Sequence, residues 1–237
     1  MRRPSFVPTW LIPQALRATG LLRARRKITN HLLKDYGWVQ SFRAGKCLDR
    51  DGEPIPWFTY PSIDFLSQLD LSEKAVFEYG SGASTLFWAK RVRSIVSVES
   101  VPEWHTLVSR QVPTNAEVVL VPADIDSYAG SIHGRGQFDI IVVDGLGDSR
   151  PLCCELALTH VRPGGVVILD NSDQWLKSAA VLRHGGLIQA DFTGFSPLNS
   201  GAGCTSVFFT RDYNFQPRNG YQPHASVAQP LKPWPEG

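Results

Sequence analysis

The sequence holds no apolar run long enough to cross a membrane and no internal repeat. Its opening, MRRPSFVPTWLIPQAL, sets basic residues before a modestly apolar stretch. That stretch contains Pro8 and Pro13 and lacks a small-residue cleavage site, so no secretory signal is expected; Arg2 and Arg3 alone are too little for twin-arginine export. Cysteine is scarce. Cys47, Cys153, Cys154 and Cys204 have neither metal-ligand spacing nor a disulfide framework, and the adjacent Cys153 and Cys154 read as small core residues. The location expected is reducing and cytoplasmic. A net charge of +2 gives no reason to expect a nucleic-acid partner. Acids are absent from the first 34 residues, which carry eight Arg and Lys. Contact with an anionic membrane surface is one reading of that segment. A solvated basic face is the favoured one, because Leu16, Leu21, Leu22, Ile28, Leu32 and Leu33 keep no clean helical stripe. Nothing in the pattern sets an oligomeric state.

What is present is an ordinary globular composition, 43% hydrophobic and 19% charged over 237 residues, enough for one sizeable core. Three regions separate: a basic, aromatic-rich lead-in or cap (1–72), an alternating region (73–210) and a proline-rich tail (211–237) read as an extended surface segment. In the middle region, strands are expected at 75–79, 94–98, 117–121, 138–143 and 166–169, with two more at 187–193 and 205–210. Helices are expected at 84–91, 102–111, 152–161 and 173–184, and a short one at 62–69 before the first strand. The unbroken apolar FDIIVV suits a parallel strand covered on both faces. The fold expected is therefore α/β: a doubly wound, mostly parallel seven-stranded sheet with a helical or irregular N-terminal cap.

In such sheets ligands bind beyond the carboxyl ends of the strands. The first strand leads into Gly80-Ser81-Gly82-Ala83-Ser84, where glycine lets backbone approach a ligand. Glu99 closes the second strand, placed for ribose hydroxyls. A dinucleotide enzyme shares these features, but Thr85 stands where its fingerprint wants a third glycine. Glu78, two residues before Gly80, would repel a pyrophosphate and suit a cationic amine or sulfonium. Asp124 ends the third strand, and FDIIVVDG followed by RPGGVVILDN puts acids at the tips of the fourth and fifth.

Together these residues resemble the class I S-adenosylmethionine-dependent methyltransferases over roughly residues 73–210. The resemblance implies that Glu78, Gly80, Ser81 and Gly82 form the loop at the cofactor's methionine end. It further implies that Glu99 holds the ribose, that Ala123, Asp124 and Ile125 frame adenine, and that Asp144 lies beside the methyl donor. Ser84 departs from the pattern, since many members carry glycine there.

Methyl transfer requires an aligned nucleophile and its deprotonation. Asp144 and the pair Asp170-Asn171 end neighbouring strands about 4.8 Å apart, so their oxygens could converge. This trio resembles the metal site of catechol-type and macrolide-sugar-type O-methyltransferases, which implies Mg²⁺ on Asp144, Asp170 and Asn171. The alternatives are that Asp144 or Asp173 acts as base without metal and that Asp170-Asn171 caps the next helix. Trp57 and Tyr60, stiffened by prolines in PIPWFTYP, are candidates for the substrate pocket, with the loop 195–203 as a second wall. Arg150 is a candidate for an anionic substrate group. The activity expected is methyl transfer to a small molecule, on oxygen, with a sugar or other polyhydroxylated acceptor. An NAD-dependent oxidoreductase, a non-catalytic partner protein and transfer of another group from a related sulfonium are the rivals.

Overall fold

The computed structural model describes residues 29–227, together with Gly20, Leu22, Arg25 and Arg26. Most of the basic opening and the prolines from Pro230 onward lie outside the described residues, and so do the readings made on them. A π-helical turn (Thr29–Asp35) and two helices, α1 (Trp38–Ala44) and α2 (Tyr60–Ser67), precede the first strand. The strands are β1 (Ala75–Tyr79), β2 (Ser94–Glu99), β3 (Ala116–Leu120), β4 (Phe138–Val143), β5 (Val161–Asp170), β6 (Ile188–Phe195) and β7 (Ala202–Phe209). Between them run α3 (Ala83–Ala89), α4 (Pro102–Ser109), α5 (Ile125–Gly130), α6 (Arg150–His160) and α7 (Leu176–His184). They form one seven-stranded sheet in the order β3-β2-β1-β4-β5-β7-β6. β1 to β5 are parallel, and β7 enters antiparallel between β5 and β6.

Alternation along the central strands decides which core each residue enters. Val76, Ile140, Val142 and Ile168 point to one face, where they meet Phe58, Leu66, Phe87 and Trp88 from α2, α3 and the chain before them. Phe77, Tyr79, Ile141 and Val143 point to the other, against Tyr128, Cys153, Cys154 and Leu182 from α5, α6 and α7. Both faces are covered, which is why FDIIVV needs no polar alternation. Glu78 shares the parity of Val76, so the carboxylate is driven into the α3 side of the sheet.

Several boundaries differ from the sequence expectation. β5 begins at Val161, not Val166, and runs through Pro163-Gly164-Gly165, with the register against β4 shifting between Phe138 and Ile140. A Cβ on Gly165 would stand 2.5 Å from the Asp139 carbonyl oxygen, so glycine there admits a bulge that the punctuation pattern read as a loop. α6 begins at Arg150 with Pro151 in its first turn, a position where the missing N–H costs nothing. The described part of the tail is not a loose segment. Phe215 is buried in the α2 core, Asp70 N–H donates to the Gln216 carbonyl, and Arg218 N–H to that of Gln68. No helix among the described residues is long and apolar enough to cross a membrane.

Candidate active site

The glycine turn is built from below. Gly80 takes φ +106° and its N–H donates to the Val98 carbonyl; Gly82 takes φ +152° and caps α3. Both dihedrals are strained for any residue with a Cβ. Beneath the turn lies Glu78, 1% exposed, whose Oε2 accepts from Thr85 Oγ1 and Ser97 Oγ, each at 2.6 Å. Thr85 Oγ1 in turn accepts from the Gly82 N–H at 3.0 Å. One carboxylate thus pins β1, β2 and the first turn of α3. Burial pushes it up to about 7, against the pull of the surrounding hydroxyls.

Glu99 works from the next strand tip. Its Oε1 accepts from the Ser100 and Val101 N–H groups and its Oε2 from Ser81 Oγ at 2.7 Å. Trp104 Nε1 donates to the Ser81 carbonyl, and its ring lies over Gly82. The turn opens into a cavity of about 620 Å³ that also contains Asp144, Asp170 and Asn171 at the tips of β4 and β5. That volume falls within the range of small-molecule sites, roughly 300–1,000 Å³. The opposite wall comes from the cap (Lys46, Cys47, Leu48, Pro54, Trp57) and from Leu198 and Asn199 between β6 and β7.

The acid pair is held by one cation. Arg150, 6% exposed, donates from Nη2 to Asp144 Oδ1 at 3.1 Å and from Nη1 to the Asp170 carbonyl at 2.6 Å. Thr205 Oγ1 donates to Asp170 Oδ1. Enclosure raises Asp144 to about 6, opposed by the guanidinium. Asp170 is pushed well up by burial and then by the charge of Asp144.

Residues 77–172 match the protein family described as a methyltransferase domain. No curated protein matches the sequence. Among solved structures, the chain is similar to precorrin-6y C5,15-methyltransferase from Geobacter metallireducens GS-15, with 11% identity over 63% of this chain and 87% of that one and a TM-score of 0.51. It is also similar to a Klebsiella pneumoniae protein provisionally assigned as an O-methyltransferase, with 18% identity over 73% and 86% and a TM-score of 0.50. The matched residues run from β1 to just past the tip of β5, so the likeness to a methyltransferase domain covers the strands that carry the glycine turn and the acid pair.

The expected site residues separate into groups. Ser81, Gly82, Asp144, Asp170, Asn171 and Trp57 line one cavity. Glu78 is buried beneath the turn and is not among the residues that line the cavity. Arg150 lies inside the protein, bonded to the tips of β4 and β5. Asp173 is exposed and stands outside the cavity lining. Asp124 caps α5, accepting from the Ser127 N–H, and with Ala123 and Ile125 it lies at the surface beyond β3. Tyr60 is buried with its ring against Tyr36, and its hydroxyl has no hydrogen-bond partner. The sequence reading missed Leu48, Pro54 and Cys47, because only tertiary packing brings the cap to the strand tips. Among the described residues no three His, Cys, Asp or Glu side chains group to hold a metal.

Proposed function

We propose that this protein moves the methyl group of S-adenosylmethionine to a hydroxyl of a small molecule. The observation that carries the reading is that the glycine turn and the carboxylates of Asp144 and Asp170 line the same cavity. The residues present fit the cofactor: a turn of positive φ beside an acid, Glu99, whose Oε2 could exchange the Ser81 hydroxyl for ribose donors. Trp104, Leu107 and Val108 of α4 line the same cavity and would offer apolar surface to the adenine ring. When bound, the cofactor supplies a methyl group on a positively charged sulfur.

Asp144 is the base in this reading. Its value of about 6 leaves it ionised at neutral pH yet basic enough to take a hydroxyl proton. Asp144 would take the acceptor's O–H proton, leaving an oxygen able to receive the methyl group that the bound cofactor would supply. Arg150 holds Asp144 in place and keeps it from protonating too early. The acceptor expected from sequence, a sugar oxygen, is one member of this class.

A second reading rests on the charge of the acid pair. Two neighbouring carboxylates have one guanidinium near them, bonded to the Asp144 carboxylate and to the Asp170 backbone carbonyl, and Asn171 beside them holds the left-handed φ of +52°. Asp144, Asp170 and Asn171 are the hard oxygen donors Mg²⁺ would take, and the ion would lower the pKa of an acceptor hydroxyl. The test is a thermal-unfolding scan with S-adenosylhomocysteine, with NAD and with neither, then an acceptor screen in EDTA and in Mg²⁺. A ligand at a hundred times its Kd adds about 2.7 kcal/mol, several degrees for this chain. Stabilisation by S-adenosylhomocysteine alone is expected; stabilisation by NAD alone refutes the proposal. Full turnover in EDTA removes the metal reading.

A further inference from the structure

Among the described residues other than glycine, two adopt positive φ, Asn171 at +52° and Leu198 at +64°, and both line the cavity. Asparagine tolerates that conformation. Leucine does not, because its Cβ crowds the following carbonyl. Such strain persists only where the surroundings over-determine it, and it gathers at ligand clamps. Here the surroundings are visible: Ser196 and Pro197 are buried, and Trp38 Nε1 donates to the Asn199 carbonyl at 3.0 Å. The loop is fastened on both sides of Leu198, and the side chain is held at the cavity wall.

The chemistry of the surrounding wall narrows what it holds. Trp57 keeps 48% of its surface exposed although its ring lines the cavity, so a large apolar face is left to be covered. Leu48, Pro54 and the buried Cys47 add apolar surface. Of the cap and β6–β7 residues that line the cavity, Lys46 and Asn199 are those with hydrogen-bonding side chains; the other polar lining belongs to the glycine turn, α3, α4 and the tips of β4 and β5. A sugar buried here would leave several hydroxyls without partners, at a cost for each. A flat ring carrying one or two hydroxyls would not.

We propose that Leu198 and Trp57 form the acceptor subsite, and that they seat a hydroxylated aromatic ring whose oxygen faces Asp144 and Asp170. This rests on the methyl-transfer reading for where the hydroxyl points, and it turns the acceptor class away from the sugar expected from sequence. Leu198 is the specificity-determining residue, held in place at the expense of its own backbone.

The test titrates 2-naphthol and methyl β-D-glucoside into the wild-type protein, Trp57→Ala and Leu198→Asn, with and without S-adenosylhomocysteine. We expect 2-naphthol to bind the wild type at least tenfold more tightly than the glucoside. Each substitution should weaken 2-naphthol at least tenfold and leave S-adenosylhomocysteine affinity unchanged. Glucoside binding as tight as 2-naphthol, no 2-naphthol binding, or unchanged 2-naphthol affinity in Leu198→Asn would each overturn the subsite. Absence of S-adenosylhomocysteine binding would instead count against methyl transfer, while the titrations without it still decide the subsite.

Discussion

Replacing Glu78 by glutamine tests whether a buried carboxylate supports the glycine turn at a cost to stability. Folding raises this group from 4.5 to about 7. The folded state therefore holds the proton more tightly than the unfolded state, and stability is fully present below pH 4.5 and lost as pH rises through 7. Applying those two values at pH 5 gives a loss of about 1 kcal/mol, and at pH 8 a loss of about 3 kcal/mol. Glutamine keeps the shape and one carbonyl acceptor for Thr85 and Ser97 but does not titrate. The stability difference between Glu78→Gln and wild type should therefore move in the variant's favour by about 2–3 kcal/mol between pH 5 and pH 8. In a chain of this length that is a relative rise in midpoint of about 5–10 °C.

The assay is paired thermal or urea unfolding at the two pH values. Groups remote from Glu78 are common to both proteins and cancel in the difference; Asp144 is coupled to Glu78 by charge, as the last of the causes that raise it. A gap that stays constant with pH would refute the reasoning, since it would mean that Glu78 is ionised throughout and its burial is compensated by the hydroxyls. Cofactor affinity supplies an independent check. A support beneath the turn predicts that S-adenosylhomocysteine binds the variant within about threefold of wild type, whereas direct contact with a cationic amine predicts a loss of tenfold, about 1.4 kcal/mol.

Glu99→Ala should weaken S-adenosylhomocysteine at least tenfold by calorimetry, because it removes the ribose acceptor and also frees the Ser81 hydroxyl; unchanged affinity would withdraw that role. Asp144→Asn should lower turnover by about 10²–10⁴, the usual worth of a positioned base, with cofactor affinity intact. Arg150→Met leaves Asp144 and Asp170 facing each other uncompensated. The loss should be about 3 kcal/mol in urea unfolding, at the low end for a broken buried pair because Asp144 keeps a quarter of its surface exposed. The same variant should move the acid limb of the pH–rate profile upward, since the guanidinium is what holds Asp144 down; an unmoved limb would show that another group controls it.

Which of these parts could be read from sequence follows from the range of the interactions that place them. Strand-to-loop boundaries are local, so the acids of Glu99, Asp144 and Asp170 could be assigned to strand tips from hydrophobic runs alone. The parity of β1 is local too: Val76 and Glu78 share a face, and that already implies a carboxylate inside the sheet, not in the ligand cavity. Asp124 was also legible, as an acid three residues before Ser127 at a helix start. Arg150 was not. Its spacing from Asp144 fits a surface arginine on a turn equally well, and only the approach of β5 to β4 gives its guanidinium the Asp170 carbonyl.

The cap and the β6–β7 loop are the least legible because their contribution is wholly long-range. Nothing in LNSG marks a leucine held at positive φ, since that dihedral is imposed by Trp38, 161 positions away from Asn199. This asymmetry has a physical basis in how the site divides its labour. The cofactor end is formed by strand ends and one turn, whose geometry the sheet repeats wherever it is built. The acceptor end is formed by segments that meet only after folding, so its shape can change through single side chains without disturbing the sheet. The fold by itself therefore cannot name an acceptor. The identity of residues 57 and 198 can, because they decide whether the hydroxyl beside Asp144 belongs to a flat ring or to a ring that demands hydrogen bonds all round.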